Sequence, residues 1–177
     1  MLGNVWPSLT DLSKAHILAQ RRGMIDEMRR IQPGKGAGVS DIEGGSIFDC
    51  RLLGMTPYCG PFRTTQEFHS YLRGYVDIVP EDHPDVAELI RMHNQEWPLC
   101  LTHADLSSLN VLVQGDKVVG IVDWETSGWY PSYWEYTTAW RVNPQNGFWQ
   151  AEVDKFLDPF PQELEMEKTR WKYFGEI

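Results

Sequence analysis

The chain has 177 residues, 42% hydrophobic and 23% charged, with a net charge of −9; that is the balance of a globular protein with enough apolar mass for one real core. The acidic excess excludes nucleic acid as the main partner, since phosphate-backbone binding needs clustered Lys and Arg, and is compatible with a small-molecule substrate, including a cationic one. No window approaches 18 consecutive apolar residues, the N-terminus lacks a basic-then-apolar leader, and Cys50, Cys59 and Cys100 are odd in number without a CxxC pair, so the expectation is no membrane partner, reduced thiols and a cytoplasmic address.

Ser8-Leu-Thr-Asp11 has the form of a capping box, and Ile17, Met24, Met28 and Ile31, widened by Leu18 and Ile25, recur at helical spacing behind it. Residues 10–31 are therefore expected to be an amphipathic helix ended by Pro33-Gly34. Residues 33–63 are rich in Gly and Pro and show little period, which indicates a long irregular segment. Gly34-Lys35-Gly36-Ala37-Gly38 within it matches neither GxxxxGK[ST] nor GxGxxG beside a strand, so it reads as a turn.

Thr64-Thr-Gln-Glu67 is a second capping box, with Phe68, Tyr71, Leu72 and Tyr75 as its apolar face. A third helix is expected to open at Asp82-His-Pro84 and to bury Val86, Leu89, Ile90 and His93. His69, His83 and His93 lack partners at metal-ligand spacing and read as structural. Leu99 to Thr102 is a short strand; Val111 to Val113 and Val118 to Val122, flanking Gly115-Asp116, form a hairpin. A helix is expected to open at Pro131, and residues 147–157 and 161–174 are further helical segments. Trp134 and Trp140 read as core, while Trp129 suits packing and an acceptor site equally. The fold class is thus mostly α with a small β-hairpin element (α+β), in a single domain over 1–177.

The chemistry concentrates in residues 101–125. A tight hairpin joins its outer ends, so Asn110 and Asp123 are expected to be neighbours, with Asp105 close by on the preceding loop. Two hard oxygen ligands side by side suit Mg²⁺, which takes few protein ligands and leaves room for phosphates. Phosphoryl transfer needs a carboxylate within reach of the acceptor hydroxyl and a cation on the nucleotide phosphates. In that scheme Asp105 is the base, Asn110 and Asp123 are the Mg²⁺ ligands that hold ATP, and His103, a candidate catalytic-site member, braces the loop by hydrogen bonds.

His103-Ala-Asp105-Leu-Ser-Ser-Leu-Asn110 resembles the catalytic loop H-G-D-x-x-x-x-N of the aminoglycoside phosphotransferase and choline kinase-like family, and is similar to the H-R-D-x-x-x-x-N loop of protein kinases. Ile121-Val-Asp123-Trp-Glu125 resembles the family's I-D-W-E. Gly128-Trp-Tyr-Pro131-Ser-Tyr-Trp-Glu135-Tyr, Gly44-Gly45, Cys59-Gly-Pro-Phe62 and Glu67-Phe68-His69 resemble its fungal members. The resemblance implies a protein kinase-like fold, the same roles for Asp105, Asn110 and Asp123, and support of the catalytic loop by Glu135. Ala104 stands where the family has Gly, and implies a negative φ there.

Family members also carry an N-terminal β-rich lobe whose glycine loop and Lys grip the phosphates. Lys14 and Lys35 precede the central stretch, and neither lies in a strand of that type. The resemblance is therefore to the C-terminal lobe alone, with the other lobe missing or supplied by a partner chain. What it implies is an ATP- and Mg²⁺-dependent small-molecule O-phosphotransferase, with Glu125 and Trp129 as candidates to line the acceptor site. The alternatives are a non-catalytic binding module that keeps the lobe for structure, a metal-dependent hydrolase using His103 and Asp105 as an H-x-D pair, and a solvated Asx-capped turn.

Overall fold

The structure, a computed structural model, describes residues 1–52, 56–77, 83–141 and 144–175. Its longest helix, α2 (Asp11–Arg29), follows a short helix α1 (Leu2–Val5) and a 3-10 turn (Trp6–Ser8). Thr10 caps α2 by accepting from the Ser13 N–H, whereas the Ser8 hydroxyl donates to Val5 O and closes the preceding turn. The cap thus sits two residues later than the Ser8 box implies. The buried face is Ile17, Leu18, Arg21, Ile25 and Met28. Met24 is exposed, because Arg21 holds the stripe position one turn after Ile17 and rotates the buried face toward it; Ile31, also exposed, lies past the end of the helix.

The described residues between 33 and 63 are irregular as expected, with two-residue strands β1 (Ser40–Asp41), β2 (Ile47–Phe48) and β3 (Tyr58–Cys59). Helix α3 (Thr65–Leu72) starts at the second capping box: the Thr64 side chain accepts from the Glu67 N–H, and the Glu67 carboxylate accepts from the Arg63 N–H. Tyr75 lies past the helix end, exposed and at φ 62°, so it is not part of that face. Helix α4 (Pro84–His93) buries Val86, Leu89, Ile90 and His93; Asp82, expected at its start, lies outside the described residues.

Strand β4 (Leu99–Thr102) leads into the central loop, and β5 (Val111–Gln114) and β6 (Lys117–Ile121) form the expected hairpin around Gly115-Asp116. The segment from Gly128 is a strand, β7 (Gly128–Pro131), and α5 (Trp134–Trp140) opens three residues after Pro131. The expected helix start fails there because β7 is the centre of a three-stranded antiparallel sheet, order β1-β7-β4, whose pairing is non-local. Gly128 permits that crossing: a Cβ on it would stand 2.3 Å from Ser40 O. Residues 147–157 contain the end of a 3-10 helix (Pro144–Trp149) and α6 (Gln150–Val153), and α7 (Pro161–Phe174) closes the chain.

Two apolar clusters form the core. One gathers Leu2, Trp6, Ile17, Ile25, Leu106, Val111, Val118, Trp149 and Phe156; the other gathers Val39, Phe68, Leu72, Leu89, Ala104, Tyr130, Tyr133, Trp134 and Met166. Between α3, α4 and α7 runs a buried polar chain. The His69 Nδ1 faces His93 O at 2.9 Å and its Nε2 meets the Tyr133 hydroxyl at 2.7 Å, while Arg73 binds the His93 Nδ1 and Glu167 pairs with Arg170. Both ring nitrogens of His69 are therefore used within the core. Among the described residues no helix is long and apolar enough to cross a membrane.

Candidate active site

Residues 103–110 are pinned by both clusters at once. Ala104 belongs to one and Leu106 to the other, so the Asp105 side chain between them is presented outward, 38% exposed. Ala104 takes φ 64°, contrary to the negative value its Cβ favours. That conformation costs a non-glycine residue about 1–2 kcal/mol and persists because the loop is held from below. The Glu135 carboxylate, fully buried, accepts from the His103 N–H at 2.7 Å and the Ala104 N–H at 3.0 Å. Burial pushes that carboxyl up to about 7 against the pull of its two N–H donors and of Arg29 and Arg21. Arg21 and the Trp149 indole N–H both donate to Leu106 O, at 2.6 and 3.1 Å.

His103 is committed on both nitrogens. Its Nε2 donates to Val122 O at 2.9 Å and its Nδ1 accepts from the Asp105 N–H at 3.2 Å, which fixes one neutral tautomer. Burial lowers its pKa, in keeping with that neutral ring. Neither nitrogen is left for a metal or for proton transfer, so the H-x-D hydrolase arrangement is not built here. The ring lies 4.6 Å from that of Trp124, and Thr126 donates to His103 O.

Asn110 Nδ2 donates to Asp105 O at 2.9 Å and to Asp105 Oδ2 at 2.7 Å. Both amide hydrogens being used, its Oδ1 is the free atom, which is the atom a cation needs. Asn110 O accepts from the Val122 N–H at 2.9 Å, which places Asp123 immediately beyond the hairpin end, as the turn geometry requires. Asp123 is exposed, sits at φ 67° and makes no hydrogen bond or ion pair with any described residue. Glu125 is likewise exposed. The set Asn110 Oδ1 and Asp123 fits Mg²⁺, whose remaining coordination comes from phosphates and water. Among the described residues no group of three or more His, Cys, Asp or Glu could hold a metal by itself.

Sequence reasoning missed Asp49 and Arg51. They lie in the aperiodic segment, where no spacing links them to the loop, yet Arg51 donates to Ala104 O at 2.8 Å and stands 3.5 Å from Asp105 Oδ1. Trp129 is buried and, with Ser40, Phe62, Arg63 and the 34–38 turn, lines a cleft of about 430 Å³ on the β1–β7 side.

The sequence profile of the phosphotransferase enzyme family matches residues 55–170. A comparison with curated proteins gives no match. Among solved structures, the apo form of a thermostable mutant of the aminoglycoside phosphotransferase APH(4)-Ia is similar, with a TM-score of 0.52 and 16% identity over 94% of this chain and 57% of that one. The likeness is one of fold, and this chain spans a little more than half the length of that structure.

Proposed function

The chain belongs to the phosphotransferase enzyme family, and from that premise we propose that it carries the catalytic lobe of an ATP- and Mg²⁺-dependent phosphotransferase acting on a hydroxyl of a small molecule in the cytoplasm. The observation that carries this reading is the joint placement of Asp105, Asn110 and Asp123. The base is held outward by both cores, while Asn110 Oδ1 and the Asp123 carboxylate are left without partners beside it.

Asp105 accepts the proton of the acceptor hydroxyl as its oxygen attacks the γ-phosphorus and the bond to the β-phosphate oxygen breaks; the proton passes on to solvent and ADP leaves. Oδ1 is the competent atom, since Oδ2 is bound to Asn110. Asn110 and Asp123 would hold Mg²⁺, which would supply positive charge to the nucleotide phosphates. Glu135 and His103 do not touch substrate; they fix the backbone from which Asp105 projects. The N-terminal lobe of the family, with its glycine loop, completes the nucleotide clamp.

The test is Mg²⁺-dependent ADP release and acceptor phosphorylation across a panel of amino sugars and amino alcohols. Asp105→Ala is expected to slow turnover about 10²–10⁴-fold, the usual scale for a general base. An unchanged rate removes Asp105 from the mechanism.

A further inference from the structure

Residues 103–110 contain no Lys or Arg, yet a guanidinium reaches Asp105 from a segment more than 50 residues earlier. Asp49 sets its position. The side chain of Asp49 is 1% exposed and accepts from the Arg51 backbone N–H at 2.9 Å and from its Nε and Nη2 at 2.8 Å each. Nη2 also donates to Ala104 O at 2.8 Å, the carbonyl of the residue held at positive φ. Three of these contacts use the rigid fork of the guanidinium, so its last nitrogen has no freedom of its own. That nitrogen, Nη1, stands 3.5 Å from Asp105 Oδ1.

The two oxygens of Asp105 are thus treated differently. Oδ2 accepts a short bond from Asn110 at 2.7 Å. Oδ1 faces Arg51 across a distance too long for a good hydrogen bond but close enough for charge attraction. A neutral side chain there would let the carboxylate rotate; an arginine at 2.8 Å would occupy the oxygen that an acceptor needs.

We infer that Arg51, locked by Asp49, is a positioning residue for Asp105: it holds Oδ1 turned toward the acceptor while leaving that oxygen open to a hydroxyl. This rests on the phosphotransferase reading for its consequence in turnover, and on the contact itself for the rest.

The decisive variant is Arg51→Lys, which keeps a charge against buried Asp49 but cannot span Asp49, Ala104 O and Asp105 from one ammonium; Arg51→Gln strips Asp49 of its partner and endangers the fold. In Arg51→Lys, kcat for MgATP turnover is expected to fall about 10- to 100-fold, the scale of an ångström of misplacement. KM for MgATP should change less than about twofold, since the binding of nucleotide is untouched. An unchanged kcat, or a loss matched by an equal loss of folded protein, overturns the inference. In parallel, ¹⁵N-arginine spectra of the full chain read the contact without turnover: Asp105→Asn is expected to shift the Arg51 guanidinium resonances, and unmoved resonances overturn it. If the wild-type chain shows no phosphoryl transfer, the phosphotransferase reading falls by itself and the resonance measurement alone decides whether Arg51 orients Asp105.

Discussion

Glu135→Gln isolates the support beneath the 103–110 loop from the chemistry proposed above it. The wild-type carboxylate satisfies the N–H groups of His103 and Ala104 with no exposure to water. Burial raises it from an ordinary 4.5 to about 7. An acid raised in the folded state binds its proton more tightly there than in the unfolded chain. Its stabilising contribution is therefore complete below 4.5 and is lost as pH rises through about 7. Over that window the loss comes to about 3 kcal/mol. Gln is isosteric with the protonated acid and has no proton to give up. Gln leaves one of the two N–H groups without an acceptor, at a cost of about 1–3 kcal/mol, so the variant should melt below wild type at about pH 4.5. By about pH 8 the difference should have moved about 3 kcal/mol in the variant's favour, or several degrees at about 2–4 °C per kcal/mol for a chain of this size. His69, pulled down to about 3 by burial beside His93, gives the opposite slope: its contribution grows as pH rises from about 3 through 6.5. It is present in both proteins and cancels in the difference. The variant should also turn over more slowly, because a carboxamide offers one acceptor to two N–H groups and lets the loop shift. A stability difference that does not move toward the variant between about pH 4.5 and pH 8 would refute this reasoning, since it would mean that Glu135 loses no proton over that range.

Ala104 allows a second comparison. At φ 64° and no exposure, Ala104→Gly should change stability by no more than about 1 kcal/mol, relief of strain offsetting lost contacts. Ala104→Val, β-branched in the same conformation, should cost more than about 2 kcal/mol in denaturant melts; equal effects would show that the positive φ is absent. Trp149→Ala removes a fully buried ring and the N–H on Leu106 O. It should cost about 3–5 kcal/mol in the same melts; a loss under about 1 kcal/mol would remove that ring from the support of the loop.

What the sequence makes legible here is what is local. The separation of Asp105 from Asn110 and the hairpin after it are set by turn chemistry, so Asn110 and Asp123 fall together as expected. The capping box at Thr64 and the proline at the start of α7 act over a single turn and are equally plain. Arg21 was hidden because a charged residue on a buried helix stripe breaks the hydropathy pattern that marks the stripe. Strand β7 was hidden because its partners β1 and β4 are supplied by distant segments, and its Gly-Trp-Tyr-Pro sequence reads locally as a turn. Asp49 and Arg51 were hidden for the same reason: their meaning lies in a contact with Ala104 and Asp105, and nothing periodic surrounds them. Glu135 was placed by family resemblance; its two bonds to the loop are visible only once α5 is folded against residues 103 and 104.

Asn110 and Asp123 are proposed to hold a magnesium nucleotide beside Asp105. Calorimetry with ATP in the presence and absence of Mg²⁺ tests it most directly, with wild type, Asp105→Ala and Asp123→Ala compared side by side. The expected result is Mg²⁺-dependent heat in wild type, retained in Asp105→Ala and lost in Asp123→Ala. No heat from the wild-type chain at millimolar nucleotide, or the same heat from Asp123→Ala, would contradict it.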